Sequence, residues 1–172
     1  QEVQRYENYD DLDEYDCTIE EREEYEPHID NGVIVYAGVD YTKIIRKAEQ
    51  EVDIVLWDGG NNDFPFLRPD LHIVLLDPMR AGHERTYHPG EAVLRMADIV
   101  VINKVDAAAP EAVAALAAEV ARLHPKAVIV RAASPVRLDD PAAVRGRRVI
   151  VVDDGPTLTH GGMAFGAAHV AA

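Results

Sequence analysis

Ile99-Val-Val-Ile-Asn-Lys-Val-Asp106 sets the frame for the whole chain. Its four leading apolar residues are continuous rather than alternating, which reads as a strand covered on both faces. The polar tetrapeptide that ends it, Asn103-Lys104-Val105-Asp106, carries chemistry suited to a purine base. A carboxylate at Asp106 can accept the N1 and N2 protons of guanine as a bidentate, charge-assisted pair. The Lys104 stem can lie along the ring, and the Asn103 side chain can tie neighbouring loops together.

Working outward, short apolar runs alternate with helical patterns. Val33–Tyr36 reads as a first strand and Tyr41–Glu51 as an amphipathic helix. Asp53–Trp57 and Leu71–Leu76 are the next strands, and Glu91–Met96 belongs to a short helix. After Ile99–Ile102, Pro110 suits the first position of an Ala-rich helix reaching about Leu123. Ala127–Val130 and Arg148–Val152 complete the strands. Strands interleaved with helices imply βαβ units and an α/β fold with a doubly wound, mostly parallel sheet. Ligands in such sheets sit at the carboxyl ends of strands.

Ahead of this region Thr18-Ile-Glu-Glu21 has the form of a capping box, and a helix of about ten residues should follow and weaken near Glu26-Pro27. The expected organisation is an acidic helical segment over residues 1–31 and a nucleotide-binding-type α/β domain over residues 32–172. Gln1 in place of Met, and a last helix that stops in progress, suggest that both ends are cut.

The net charge of −14 is unevenly spread. Residues 1–30 hold thirteen acids against Arg5 and Arg22, a net −11 that leaves −3 for the rest. A nearly neutral α/β region has no basic surface for phosphate backbones, which argues against nucleic acid as a partner. No apolar run approaches the ~20 residues of a membrane span, so no membrane is expected either. Cys17 is the single cysteine, which excludes an intrachain disulfide and fits a cytoplasmic setting.

Two further groups carry chemistry. Asp58-Gly59-Gly60 follows the apolar run directly, an arrangement that lets a carboxylate hold Mg²⁺ while glycine brings backbone close to a phosphate. The order then resembles that of GTP-binding folds: the Asp-Gly strand, another strand, the Asn-Lys-x-Asp strand, a helix, and a strand ending in small residues. In that frame Ala132, Ala133 and Ser134 would offer backbone N–H groups to the guanine oxygen. No Gly-x-x-x-x-Gly-Lys-Ser/Thr occurs, and none of Lys43, Lys47, Lys104 and Lys126 follows a glycine. The β/γ-phosphate cradle is therefore expected upstream of Gln1.

Anion sites are expected in two loops. Thr157, Thr159, His160, Gly161 and Gly162 combine hydroxyls, an imidazole and free backbone at a helix start. Arg80, His83, Arg85 and His88 follow Asp77 and could meet an anionic substrate. Metal at the histidines is the weaker reading, because ligand spacing is irregular and no cysteine is present there.

The stretches DIVLWDGGNNDFPF, RPDLHIVLLDPMRAGHERTYHPGE, RMADIVVINKVD and VVDDGPTLTHGGMAFGA resemble the predicted-GTPase family that includes cyclic 2,3-diphosphoglycerate synthetase. The acidic TIEEREEYEPHIDNGVIVYAGVDY stretch is similar too, so the resemblance covers nearly the whole chain. It implies a larger protein of the deviant P-loop class, with Mg²⁺ and ATP or GTP as cofactors. It also implies ATP-driven closure of a diphosphorylated acid into an anhydride. By the match, Asp58 would hold Mg²⁺, and Asn103, Lys104 and Asp106 would meet the base. Expected partners are the nucleotide and a small phosphorylated anion, with self-association left open. Against a synthetase stand two alternatives: a regulatory GTPase switch that drives a partner protein, and a non-catalytic nucleotide-fold module.

Overall fold

The computed structural model describes residues 2–60, 63–153, 158 and 162–172. Two compact units divide the chain, Gln1–Gly59 and Gly60–Ala172.

The first unit contains β1 (Gln4–Tyr6), α1 (Tyr9–Glu14), α2 (Ile19–Asp30), β2 (Val35–Ala37) and α3 (Tyr41–Ala48). The capping box at α2 forms as expected: Thr18 Oγ1 accepts from the Glu21 N–H, and the Glu21 carboxylate accepts from the Thr18 N–H at 2.8 Å. The helix does not weaken at Pro27 but runs on to Asp30. Its stop is at Gly32, where φ is +72°. There the Val33 N–H reaches the His28 carbonyl and the Gly32 N–H reaches that of Ile29. This paired closure, with glycine in the left-handed region, satisfies the orphan carbonyls of the last turn. Proline alone supplied no equivalent stop.

β2 was expected in the parallel sheet, but it pairs antiparallel with β1, Arg5 opposite Tyr36. The acidic stretch thus contributes a strand to the residues beyond it. Tyr6, Leu12 and Ala48 are buried, and the rings of Tyr15 and Tyr25 lie 5.3 and 5.0 Å from that of Tyr6. Burial pushes the Tyr6 hydroxyl well above its ordinary value, with Cys17 beside it adding to the effect. Surface acids are partly offset by Arg5 to Glu51 at 2.7 Å, Lys43 to Glu2 at 2.6 Å, and Arg22 to Asp13. Gly38 allows the turn after β2 to come close to the strand's partner; a Cβ there would strike the Glu2 carbonyl. Residues 53–57 were expected as a strand, yet no described strand pairs with them, and Ile54 and Leu56 are exposed. An apolar run becomes a strand only where a neighbour completes its hydrogen-bond ladder.

The second unit is built on β3 (Ile73–Leu76), β4 (Ile99–Ile102) and β5 (Val128–Arg131), parallel and in that spatial order. Registers run Ile73 to Ile99 and Ile99 to Val128. A 3-10 turn (Pro78–Arg80), α4 (His83–Thr86) and α5 (Gly90–Met96) link the first pair, and α6 (Pro110–Leu123) links the second. α7 (Pro141–Val144) and α8 (Ala167–Ala171) follow. Both connections pack in one core with the sheet, as expected where successive parallel crossovers of one hand run in one direction.

On that face Val74, Leu76, Val100 and Ile102 meet Val93 and Leu94 of α5 and Val113, Leu116, Val120 and Leu123 of α6. Each fully buried aliphatic side chain contributes about 2 kcal/mol. Arg95 closes the end of α6 by donating to the Leu123 carbonyl at 2.8 Å. Burial on both faces, expected from the unbroken apolar runs, is not what the described residues show: Ile73, Leu75, Val128 and Val130 are exposed. The last expected strand, Arg148–Val152, is also absent, with Ile150 and Val152 exposed and without a strand neighbour among the described residues. No described helix is long and apolar enough to cross a membrane.

Candidate nucleotide-binding site

The carboxyl ends of the three parallel strands carry the polar residues, as the topology requires. The Asn103 N–H donates to the Leu76 carbonyl at 2.9 Å, which ties the end of β4 to that of β3. Lys104 then turns into the left-handed region, φ +55°, a conformation costly for a residue with a side chain. Two bonds hold it there, from the Ala107 and Ala108 N–H groups to the Lys104 carbonyl, both 3.1 Å. On the other side, the Val105 N–H donates to the Ala132 carbonyl at 3.1 Å. The loop Asn103–Asp106 is thereby stitched between the ends of β3 and β5.

Two of its side chains are engaged as well. Lys104 Nζ lies 2.7 Å from Asp77 Oδ2, while Asp77 Oδ1 accepts from the Met79 N–H at 2.9 Å. Asp106 Oδ1 accepts from the Ser134 N–H at 2.9 Å. The Asn103 side chain, expected to tie the loops, makes no hydrogen bond among the described residues, and Asp106 ties them instead. The Asn103 backbone spans to β3, and the Asp106 side chain reaches the loop after β5.

The three expected donors to a base oxygen are also sorted by this geometry. The Ala132 N–H is committed to the Ile102 carbonyl at 2.9 Å, and the Ser134 N–H to Asp106. Ala133 is left with an N–H that has no partner among the described residues. Asp106 is exposed and keeps Oδ2 open, and a carboxylate oxygen has room for more than one donor.

Beside this loop lies a cavity of about 430 Å³, lined by Asp77, Arg80, His83, Glu84, Tyr87 and His88 among others. Three of the four residues of the loop after Asp77 that were expected to meet an anion are therefore brought together. Arg85 is not: its guanidinium turns to Glu119 at 2.9 Å. Arg122 reaches the same carboxylate at 2.7 Å, and these two cations, Arg122 foremost, hold Glu119 down at about 2. Neither Asp77 nor Glu84 was given a binding role from sequence, although Asp77-Pro78, an acid at a strand end followed by proline, was expected on this rim.

Against known families, residues 45–131 match CobW/HypB/UreG, nucleotide-binding domain. The chain belongs to this family. A curated relative, "Arginine synthetase ArcE" of Thermococcus kodakarensis, is 58% identical over 172 residues, which is 100% of this chain and 38% of the relative. No solved structure matches. The family accords with the parallel α/β unit and with a nucleotide-binding, GTPase-type module, as the order of motifs implied.

Asp58, Gly59 and Gly60 are exposed, the first two closing the first unit and Gly60 opening the second. Asp58 makes no hydrogen bond or ion pair among the described residues, so its oxygens suit a hard cation. Mg²⁺ typically takes one or two carboxylates and fills its shell with water and phosphate oxygens, which a single Asp58 fits. No cluster of three or more metal-ligating side chains occurs among the described residues, including the His83–His88 loop. Thr157, Thr159, His160 and Gly161 lie outside the described residues. Gly162 is exposed, with φ +70°.

Proposed function

We propose that this chain is the nucleotide-handling part of an NTP-dependent synthetase whose product is arginine. The observation that carries the reading is identity at 58% along the whole chain to a relative named an arginine synthetase, in a family of nucleotide-binding domains. The chain spans 38% of that relative's length, so the complete reaction belongs to a longer protein. The resemblance to cyclic 2,3-diphosphoglycerate synthetase supplies the second product reading.

In either case the residues divide the work in the same way. Asp106 and the Ala133 N–H would read the base, and Lys104, held by Asp77, would lie along it. Asp58 would hold Mg²⁺, which neutralises charge on the phosphates, and Gly59 and Gly60 would let backbone approach them. Catalysis in such sites is mostly positioning and electrostatic stabilisation of phosphate oxygens.

The family match also supports a different class, a GTPase switch that drives a partner protein. One assay separates the two. Full-length protein is given GTP or ATP with Mg²⁺, and phosphate release is followed with and without amino-acid acceptors. Release that depends on an acceptor and yields arginine supports the synthetase; slow release indifferent to every acceptor supports the switch.

A further inference from the structure

The proposed synthetase leaves its acceptor site unassigned, and the cavity beside Asp77 has the chemistry for one. Arg80 Nε is buried and has no hydrogen-bond partner among the described residues. Nor does its guanidinium enter an ion pair among them, whereas Arg85 in the same loop pairs with Glu119 and Lys104 pairs with Asp77. Leaving a buried donor unpaired is unfavourable, and more so when the group is charged. A site that tolerates this is complete only when an acceptor arrives. The backbone keeps the residue in place, since the Arg80 N–H bonds the Asp77 carbonyl at 3.0 Å.

The remaining charges narrow the ligand. Asp77 is already balanced by Lys104. Glu84 is half-buried; its Oε2 accepts from the Gly82 N–H at 2.8 Å, and Oε1 remains. Arg80 and Glu84 thus present one fixed positive and one fixed negative charge, with the His83 ring packed on Tyr87 at 4.7 Å. A doubly phosphorylated acid would bring several negative charges to a single uncompensated cation and would face Glu84. A zwitterion matches both signs. The flat fork of a guanidinium also pairs a carboxylate through two parallel hydrogen bonds.

We propose that this cavity, through Arg80 and Glu84, binds the carboxylate and ammonium of a free amino acid, the acceptor or product of the synthetase reaction. The assignment rests on the synthetase reading above, and it distinguishes an amino acid from a phosphorylated acid on charge alone. Because a nucleotide phosphate could also meet Arg80, the test separates the two sources.

Full-length protein is titrated calorimetrically with L-arginine, agmatine (the same molecule without its carboxylate), inorganic phosphate and GTP or ATP with Mg²⁺. Wild type is compared with Arg80→Met, Arg80→Lys and Glu84→Gln, each checked for an unchanged melting temperature. The expected result is that Arg80→Met weakens arginine by about tenfold or more, as for loss of a charged hydrogen bond. Arg80→Lys recovers part of this. Agmatine, already weak, is unaffected by either change, Glu84→Gln weakens arginine and agmatine alike, and nucleotide affinity holds.

Absent arginine binding by wild type, or equal arginine affinity in Arg80→Met, overturns the assignment. So does a fall in phosphate or nucleotide affinity in place of arginine. Should Asp106→Asn leave base preference untouched while Arg80→Met still abolishes arginine binding, the base-reading role fails and the amino-acid site stands.

Discussion

Asp77 holds two loops at once: its Oδ2 lies 2.7 Å from Lys104 Nζ and its Oδ1 accepts the Met79 N–H at 2.9 Å. One oxygen therefore serves the proposed base loop and the other the turn that carries Arg80. The two roles come apart by substitution. Asp77→Asn keeps an oxygen for the turn and loses the ion pair, so stability should fall by at most about 1 kcal/mol. Nucleotide affinity of the full-length protein should drop about fivefold as Lys104 loses its tether. Asp77→Ala removes the cap as well and should cost about 1 kcal/mol more in chemical denaturation. Equal stability of the two variants would show that the Met79 bond contributes nothing.

For Asp106, the bond to the Ser134 N–H supplies a built-in control. Asn at this position still offers Oδ1 to Ser134, so Asp106→Asn should melt as wild type does. What changes is the face turned to the base: GTP should weaken, and xanthosine triphosphate, which presents an acceptor where guanine presents an amine, should improve. Competition between the two triphosphates measures this directly. Unchanged preference removes Asp106 from base reading while leaving its structural bond in place.

Asp58 is exposed and makes no described contact, so removing its carboxylate should not disturb folding. Asp58→Ala is expected to keep the circular dichroism spectrum and melting temperature of wild type and to lose Mg²⁺-dependent turnover. Turnover that survives places the metal on other residues.

Much of this was legible because the deciding signals are local. Ile99–Ile102 and Pro110–Leu123 fall where the apolar run and the proline put them, and Thr18 caps its helix through Glu21. Where the reading failed, the missing information was non-local. The runs Asp53–Trp57 and Arg148–Val152 have the composition of strands, yet strand formation depends on a partner that composition does not name. Side-chain destinations were hidden for the same reason. Nothing in the spacing of Arg80 and Arg85 says that Arg85 turns to Glu119 while Arg80 has no partner among the described residues. At the end of α2, by contrast, the signal was present in Asn31-Gly32 and was outranked by Pro27. Gly32 sits at φ +72° with open space where a Cβ would point, so Gly32→Ala should cost about 1 kcal/mol from backbone strain alone. A stability change near zero in urea would show that the helix end can relax.

Glu119 gives a pH dependence with a definite sign. The Arg122 guanidinium hydrogen-bonds its carboxylate, with Arg85 adding attraction, and together they lower it from 4.5 to about 2. A carboxyl depressed in the folded state stabilises the fold above its unfolded value and loses that contribution as pH falls through the folded one. The window is therefore from about 4.5 down to about 2. Glu119→Gln should melt lower than wild type at neutral pH, and the gap should close as the pH is taken through that window. Because the side chain is partly exposed, the gap should also shrink in high salt. Paired melting curves at pH 7 and pH 2, with and without added salt, measure both trends. A gap that is constant with pH would mean that packing of the side chain, not its charge, supports α6.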